Sequence, residues 1–326
     1  MIWADVVRAL AIYLVVLVHS LDAAPFDQTF FSTAVSATCV PLFVILSGAL
    51  LLQKKESYRQ FYQKRFVRLV LPWLTWTLVY MIVELWQHPV FGFVQLFKLF
   101  SATLTSFWFL PMIVGLYLIT PALRILVANA KPKDILFLCL LWFLSIGILP
   151  YYRNTMAFPF FVDDGIVRQV FTYLGYYLLG AWMMEIKLPS TRTLFLGFFL
   201  GIGLSIANFI LATANHWLDP HFSFNYIFPG TIIASASLFA IIKTSFKFNE
   251  LKPAFVSLIT SLSMAALGIY FIHGLLEEWF LHVLGRPYLF KMVIFGEWIN
   301  SLTLYLISFL IILALTRVPF LKRFVT

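Results

Sequence analysis

The strongest constraint on this chain is a recurring length. Runs of about twenty apolar residues, the length needed to cross the hydrocarbon of a bilayer, follow one another along it. They lie at 6–24, 33–53, 67–87, 107–128, 134–152, 169–186, 193–213, 226–245, 255–276 and 291–316, the ninth continuing to about 284. In lipid no water satisfies backbone amides, so such segments cross as helices whose hydrogen bonds are internal. The expected fold class is all-α: a polytopic membrane bundle of about ten transmembrane helices. The stretch 89–106 is apolar but broken by Gly92 and Lys98, and is expected to be interfacial or re-entrant rather than spanning. With no soluble appendage, low-complexity tract or internal repeat evident, residues 1–326 are read as one membrane domain.

Charge supports this reading and gives it a direction. Only 11% of residues are charged and the mean hydropathy is +0.92, whereas a soluble domain carries roughly 25% charged residues. The net charge of +9 therefore points to basic cytoplasmic loops rather than to a nucleic-acid partner. With the N-terminus inside, 17 of the 23 lysines and arginines fall on the inner side and 5 on the outer, leaving Arg8 within the first run. Both termini are thus expected to be cytoplasmic, in the cell (plasma or inner) membrane. The first run is not read as a cleaved secretory signal, since Asp5 is misplaced for one and nine further runs follow. Cys39 and Cys139 sit in apolar runs without metal-like spacing and are read as core thiols. No metal is expected, and no glycine-rich phosphate loop is present.

The first run, DVVRALAIYLVVLVHS, contains Asp5, Arg8 and His19. Eleven residues on a helix amount to three turns plus about 20°, so Arg8 and His19 share a face with their Cα atoms about 16 Å apart. Taken singly, Arg8 reads as a snorkelling anchor and His19 as a boundary residue. Two unrelated anchors have no reason to align, and ionisable groups at membrane depth point to function. Asp5, three residues before Arg8, is close enough to pair with it.

Two other constellations carry chemistry. The stretch QKKESYRQFYQKRFVRLVLPW holds Lys64, with Arg65 and Arg68 three residues apart on one helix face. Arginine suits bidentate phosphate recognition; the alternative is a basic loop held at anionic headgroups. His273 lies in AALGIYFIHGLLEEW, with Glu277 one turn on, either as an acid–base or orienting pair or as a histidine bracing the bundle. Asp163 and Asp164, with Arg153 and Arg168, read as a solvated outer loop with a glycan-binding alternative. Tyr151 and Tyr152 fit an aromatic belt.

Taken in order, these segments resemble the acyltransferase-3 family of integral membrane O-acyltransferases. The Arg-x10-His pattern opens the series. VPLFVILSGALLL (40–52), KRFVRLVLPW (64–73), FWFLPMIVGLYLITP (107–121), YLGYYLLGAWM (173–183) and LGIYFIHGLL (267–276) follow in the family's order. The length matches the single-domain branch that resembles surface-polysaccharide O-acetyltransferases. One departure is Ser106, where family members often carry a histidine two residues before the tryptophan.

The resemblance implies O-acetylation: transfer of an acyl group, most simply acetyl, from cytosolic acyl-CoA to a hydroxyl of a cell-envelope glycan or lipid-linked precursor. Such chemistry needs a cationic seat for the donor, a base for the hydroxyl and stabilisation of the oxyanion. Arg65 and Arg68, with Lys64, are the expected seat for acetyl-CoA, and Trp108 from the Trp-Phe-Leu segment is a further expected donor contact. His19 is the expected base, because an unperturbed pKa near 6.5 suits proton abstraction. Arg8, His273 and Glu277 complete the expected catalytic set. The expected partners are acyl-CoA, the glycan acceptor and membrane lipid. The competing function is a transporter, either an exporter of polysaccharide or a carrier of acyl groups to a partner enzyme, since many spans and intramembrane charges are also what transporters show.

Overall fold

The computed structural model describes residues 1–21, 26–89, 92–148, 165–214, 220–245, 251–284 and 296–325. Among the described residues the fold is all-helical. In chain order the helices are α1 (Ile2–Leu21), α2 (Phe26–Ser36), α3 (Cys39–Leu51), α4 (Tyr58–Gln87), α5 (Phe93–Ser106), α6 (Phe109–Asn129) and α7 (Pro132–Trp142). These are followed by α8 (Ile166–Glu185), α9 (Thr191–Ala214), α10 (Pro229–Ser245), α11 (Pro253–Leu284), α12 (Gly296–Thr316) and α13 (Pro319–Val325). Within the described residues each of the ten apolar runs falls on helix, and eight helical segments there are long and apolar enough to cross a membrane.

The two runs outside those eight have physical explanations. α7 gives way after eleven residues to a π-helical turn, Phe143–Ile148, and the rest of that run lies outside the described residues. α8 is twenty residues long but less apolar, because it carries Arg168, Gln169, Tyr173, Tyr176 and Tyr177. Its tyrosines are buried against protein instead of lipid. The second run is divided: α2 and α3 meet at Ala37 and Thr38, where the Thr38 hydroxyl donates to the Val35 carbonyl (2.8 Å). Pro41 then sits in the first turn of α3, where a missing N–H costs least. α5, at 14 residues, spans only about 21 Å. It lies against α4 as a helix too short to cross, in line with the expectation for 89–106.

α1 is the hub. It packs against α2, α3, α10, α11 and α12, and Val7, Ala11, Val16 and Leu17 are fully buried there. α3 and α8 approach at backbone distance. A Cβ at Gly48 would collide with the Tyr177 carbonyl, and one at Gly180 with the Ile45 carbonyl, so glycine at both positions is what allows the contact. α4, the least buried of the candidate spans, is tied to α11 by Tyr80, whose hydroxyl donates to the Phe271 carbonyl (2.8 Å), and by Trp76 stacked on Phe271. These ties hold α4 beside α11 and enclose a cavity against α1, α3 and α6.

Candidate active site

The cavity has a volume of about 890 Å³. α1 lines it through Arg8, Ile12, Val15 and His19, at positions i, i+4, i+7 and i+11, which form one helix face. The alignment expected of Arg8 and His19 is therefore realised, with an apolar wall between them.

One end of the cavity is cationic. Lys54, Arg65 and Arg68 line it near Arg8, with Ser47 and Tyr117 on the facing helices. Arg8 is fixed in a three-membered polar cluster. Its Nη1 donates to Asp5 Oδ1 (3.3 Å) and to Ser263 Oγ, and the Ser263 hydroxyl donates to the same Asp5 oxygen at 2.6 Å. Among the described residues Arg68 makes no hydrogen bond or ion pair, so its guanidinium is open to an anion. Arg65 lies 3.8 Å from Glu56 Oε1, and Arg124 donates to that oxygen at 3.0 Å. Lys64 is also within 3.8 Å of Glu56, but its side chain is 57% exposed and it is absent from the cavity wall. Burial of the Glu56 carboxyl opposes its ionisation. The Arg124 hydrogen bond and the charges of Lys54, Arg65 and Arg124 outweigh that, and its pKa lies below the ordinary carboxylate value.

The other end is aromatic and carries both deep histidines. The His19 and His273 rings lie 5.2 Å apart between centroids. His273 Nδ1 is 3.1 Å from the Ile269 carbonyl. A carbonyl only accepts, so in this contact Nδ1 carries the proton and donates. Glu277 lines the same wall one turn on. A Cβ at Gly274 would lie 2.8 Å from the Tyr80 hydroxyl, so glycine there keeps the α4–α11 seam closed at histidine level.

Trp108 also belongs to this end. It stacks near Tyr226 (5.9 Å, 29°), while its neighbour Phe109 packs on Tyr270, itself beside His273. Going along α6, Tyr117 and then Arg124 reach the cationic end; nine residues separate Trp108 from Tyr117, a rise of about 13 Å. Trp108 thus lines the histidine end of the same cavity.

Of the expected residues, Arg8, His19, Arg65, Arg68, Trp108, His273 and Glu277 all line one cavity. Ser263 and Tyr226 join the cavity wall without having been singled out by motif or spacing, as does Tyr270 from the LGIYFIHGLL segment, while Glu56 and Arg124 stand behind the wall. Tyr270 stands three residues before His273, in the Tyr-x-x-His pattern of the segment that resembles the family's. Arg124 reads in the sequence only as an inner-side charge. Ser263 and Tyr226 have no local signal, because tertiary packing alone brings them in. Cys39 is buried, as expected, yet also borders the cavity. Tyr151, Tyr152, Arg153, Asp163 and Asp164 lie outside the described residues. Among the described residues no cluster of three or more His, Cys, Asp or Glu could hold a metal ion.

A cavity with cations at one end, paired imidazoles at the other and an apolar wall between them suits an extended anionic thioester. Comparison with known proteins identifies the family. The sequence model of a family described as an acyltransferase domain matches residues 1–317. No curated protein and no solved structure matches the chain. The match extends over nearly the whole length and includes every residue of the cavity wall: the chain belongs to the acyltransferase-3 family and is a multi-pass membrane acyltransferase.

Proposed function

We propose that the protein takes acetyl from cytosolic acetyl-CoA and transfers it to a hydroxyl of a cell-envelope glycan or its lipid-linked precursor. The observation that carries this reading is the polarity of one cavity: Arg8, Arg65 and Arg68 at one end, His19 and His273 at the other. The inner-side excess of basic residues supports a cytoplasmic arginine end, where coenzyme A is found.

In this mechanism Arg65, Arg68 and Lys54 hold the donor's phosphates, with arginine forks suited to phosphate oxygens. The pantetheine arm follows the apolar wall of Ile12 and Val15. Arg8 sits about 16 Å from His19 along α1, too far to act on a carbonyl there, and orients the donor near the mouth. His19 accepts the proton of the acceptor hydroxyl as its oxygen attacks the thioester carbonyl. The C–O bond forms, the C–S bond breaks, and the departing thiolate recovers the proton from the His19 imidazolium. His273 faces His19 and steadies the ring that becomes charged.

The test is purified full-length protein in lipid nanodiscs with radiolabelled acetyl-CoA and an envelope lipid–glycan extract. Label in an alkali-labile ester on the glycan fraction is expected. Acetyl delivered across the membrane without any ester formed would make the protein a carrier and overturn the reading.

A further inference from the structure

Arg65 is a long side chain at the mouth of a water-facing cavity, and no acceptor on its own helix fixes its direction. What fixes it, besides the ring of Phe61, is one carboxylate outside the cavity wall. Glu56, in the loop between α3 and α4, is only 4% exposed, and four cations surround it. Oε1 accepts from Arg124 (3.0 Å) and faces Arg65 (3.8 Å); Oε2 faces Lys54 (3.6 Å) and Lys64 (3.8 Å). Arg124 is in turn anchored by its Nε on the Leu51 carbonyl (2.8 Å). The guanidinium groups of Arg124 and Arg65 both lie over the ring of Phe61, at 4.5 and 5.6 Å, and Phe61 is fully buried. Glu56 does not itself border the cavity, whereas Lys54 and Arg65 do.

We propose that Glu56 is a positioning residue for the acyl donor: a buried anion behind the wall that gathers Lys54 and Arg65 at the mouth of the cavity so that they meet the donor's phosphates. The inference rests on the donor reading above. Without Glu56 these four cations keep no ion pair among the described residues. Like charges at this range repel, and long flexible side chains relieve that by turning out to water or headgroups. Glu56 is thus a negative charge that strengthens the binding of a negative ligand, by ordering its partners.

That sign makes the inference testable. A carboxylate acting only through its charge would repel phosphates, and Glu56→Gln would then tighten binding. A positioning carboxylate predicts the reverse. CoA binding is measured by calorimetry on the full chain in nanodiscs for wild type, Glu56→Gln and Glu56→Asp, together with Tm and kcat at saturating acetyl-CoA. We expect Glu56→Gln to weaken CoA about tenfold, the scale of one charge-assisted hydrogen bond losing its geometry, with kcat little changed. Glu56→Asp keeps the charge but is one methylene too short to reach both arginines, and is expected to fall between wild type and Glu56→Gln. If Glu56→Gln does not fold, a folded Glu56→Asp with wild-type affinity overturns the proposal. Unchanged or tighter binding in Glu56→Gln overturns it as well, while wild-type binding of CoA leaves the donor reading standing. Wild-type protein that binds no CoA removes both.

Discussion

The imidazole rings of His19 and His273 stand 5.2 Å apart between centroids and are tilted by 43°, though 254 residues separate them in sequence. One comes from the hub helix α1 and the other from α11, and the α1–α11 packing fixes the distance between them. This apposition leads to the first prediction. His19→Ala is expected to lower the transfer rate by about 10²–10⁴-fold, the usual contribution of a general base, with CoA affinity nearly unchanged. His273→Gln is expected to lower kcat by a smaller factor, with KM for acetyl-CoA unaffected. Steady-state kinetics alongside CoA calorimetry distinguish these outcomes from a folding defect.

The two seat arginines differ in their surroundings. Arg65 has Glu56 within ion-pair distance, whereas Arg68 has no such partner among the described residues. Arg65→Ala and Arg68→Ala should each weaken CoA binding by about 10–150-fold, equivalent to about 1.5–3 kcal/mol for a charge-assisted hydrogen bond. Lysine at either position should rescue only in part, because a point charge lacks the fork. Affinity unchanged in the double alanine variant would assign both residues to lipid headgroups.

Arg8 depends on two acceptors for its direction. Ser263→Ala removes one and also frees Asp5 from a 2.6 Å bond. A net hydrogen bond is worth about 0.5–1.5 kcal/mol, so KM for acetyl-CoA should rise about 2–13-fold. Asp5→Asn should act in the same direction, and Arg8→Ala should exceed both.

The α3–α8 contact predicts a stability effect at glycines remote from the chemistry. Gly48→Ala and Gly180→Ala push a methyl group into a neighbouring carbonyl, overpacking of a kind that costs about 1–3 kcal/mol or more. Gly203→Ala meets nothing within 4 Å and should be neutral or stabilising by up to about 1 kcal/mol, through helix propensity. Thermal unfolding followed by size exclusion, with all three variants in the same detergent, tests the contrast.

Glu56 links stability to pH. Its pKa in the folded protein lies below the unfolded value, which is about 4.3 for a glutamate. Its contribution to stability is therefore fully present above that value and is lost as pH falls through the depressed folded pKa. The Tm gap between wild type and Glu56→Gln should be constant near neutral pH and should shrink below about pH 4. A gap that widens on acidification would reverse the sign of the interaction.

How far the sequence alone determines this protein differs from residue to residue. The apolar runs and the shared face of Arg8 and His19 depend only on helix geometry and on the solvent that a twenty-residue apolar segment requires. Both are therefore legible in the order of the residues. The α2–α3 break, the π-helical turn after Trp142 and the tyrosine-rich α8 are local departures that run length does not register. Contact across helices is another matter. Ser263 beside Arg8, Glu56 beneath Arg65 and Tyr226 against Trp108 are each set by which helices adjoin. Adjacency arises from glycines that admit backbone contact and from aromatic rings that fill what remains. A periodic pattern shows which face a helix buries; only the packed bundle decides which residue it meets there. For that reason Trp108 stands at the histidine end, and Glu56, a loop carboxylate whose role its own basic stretch does not show, holds four cations in the fold.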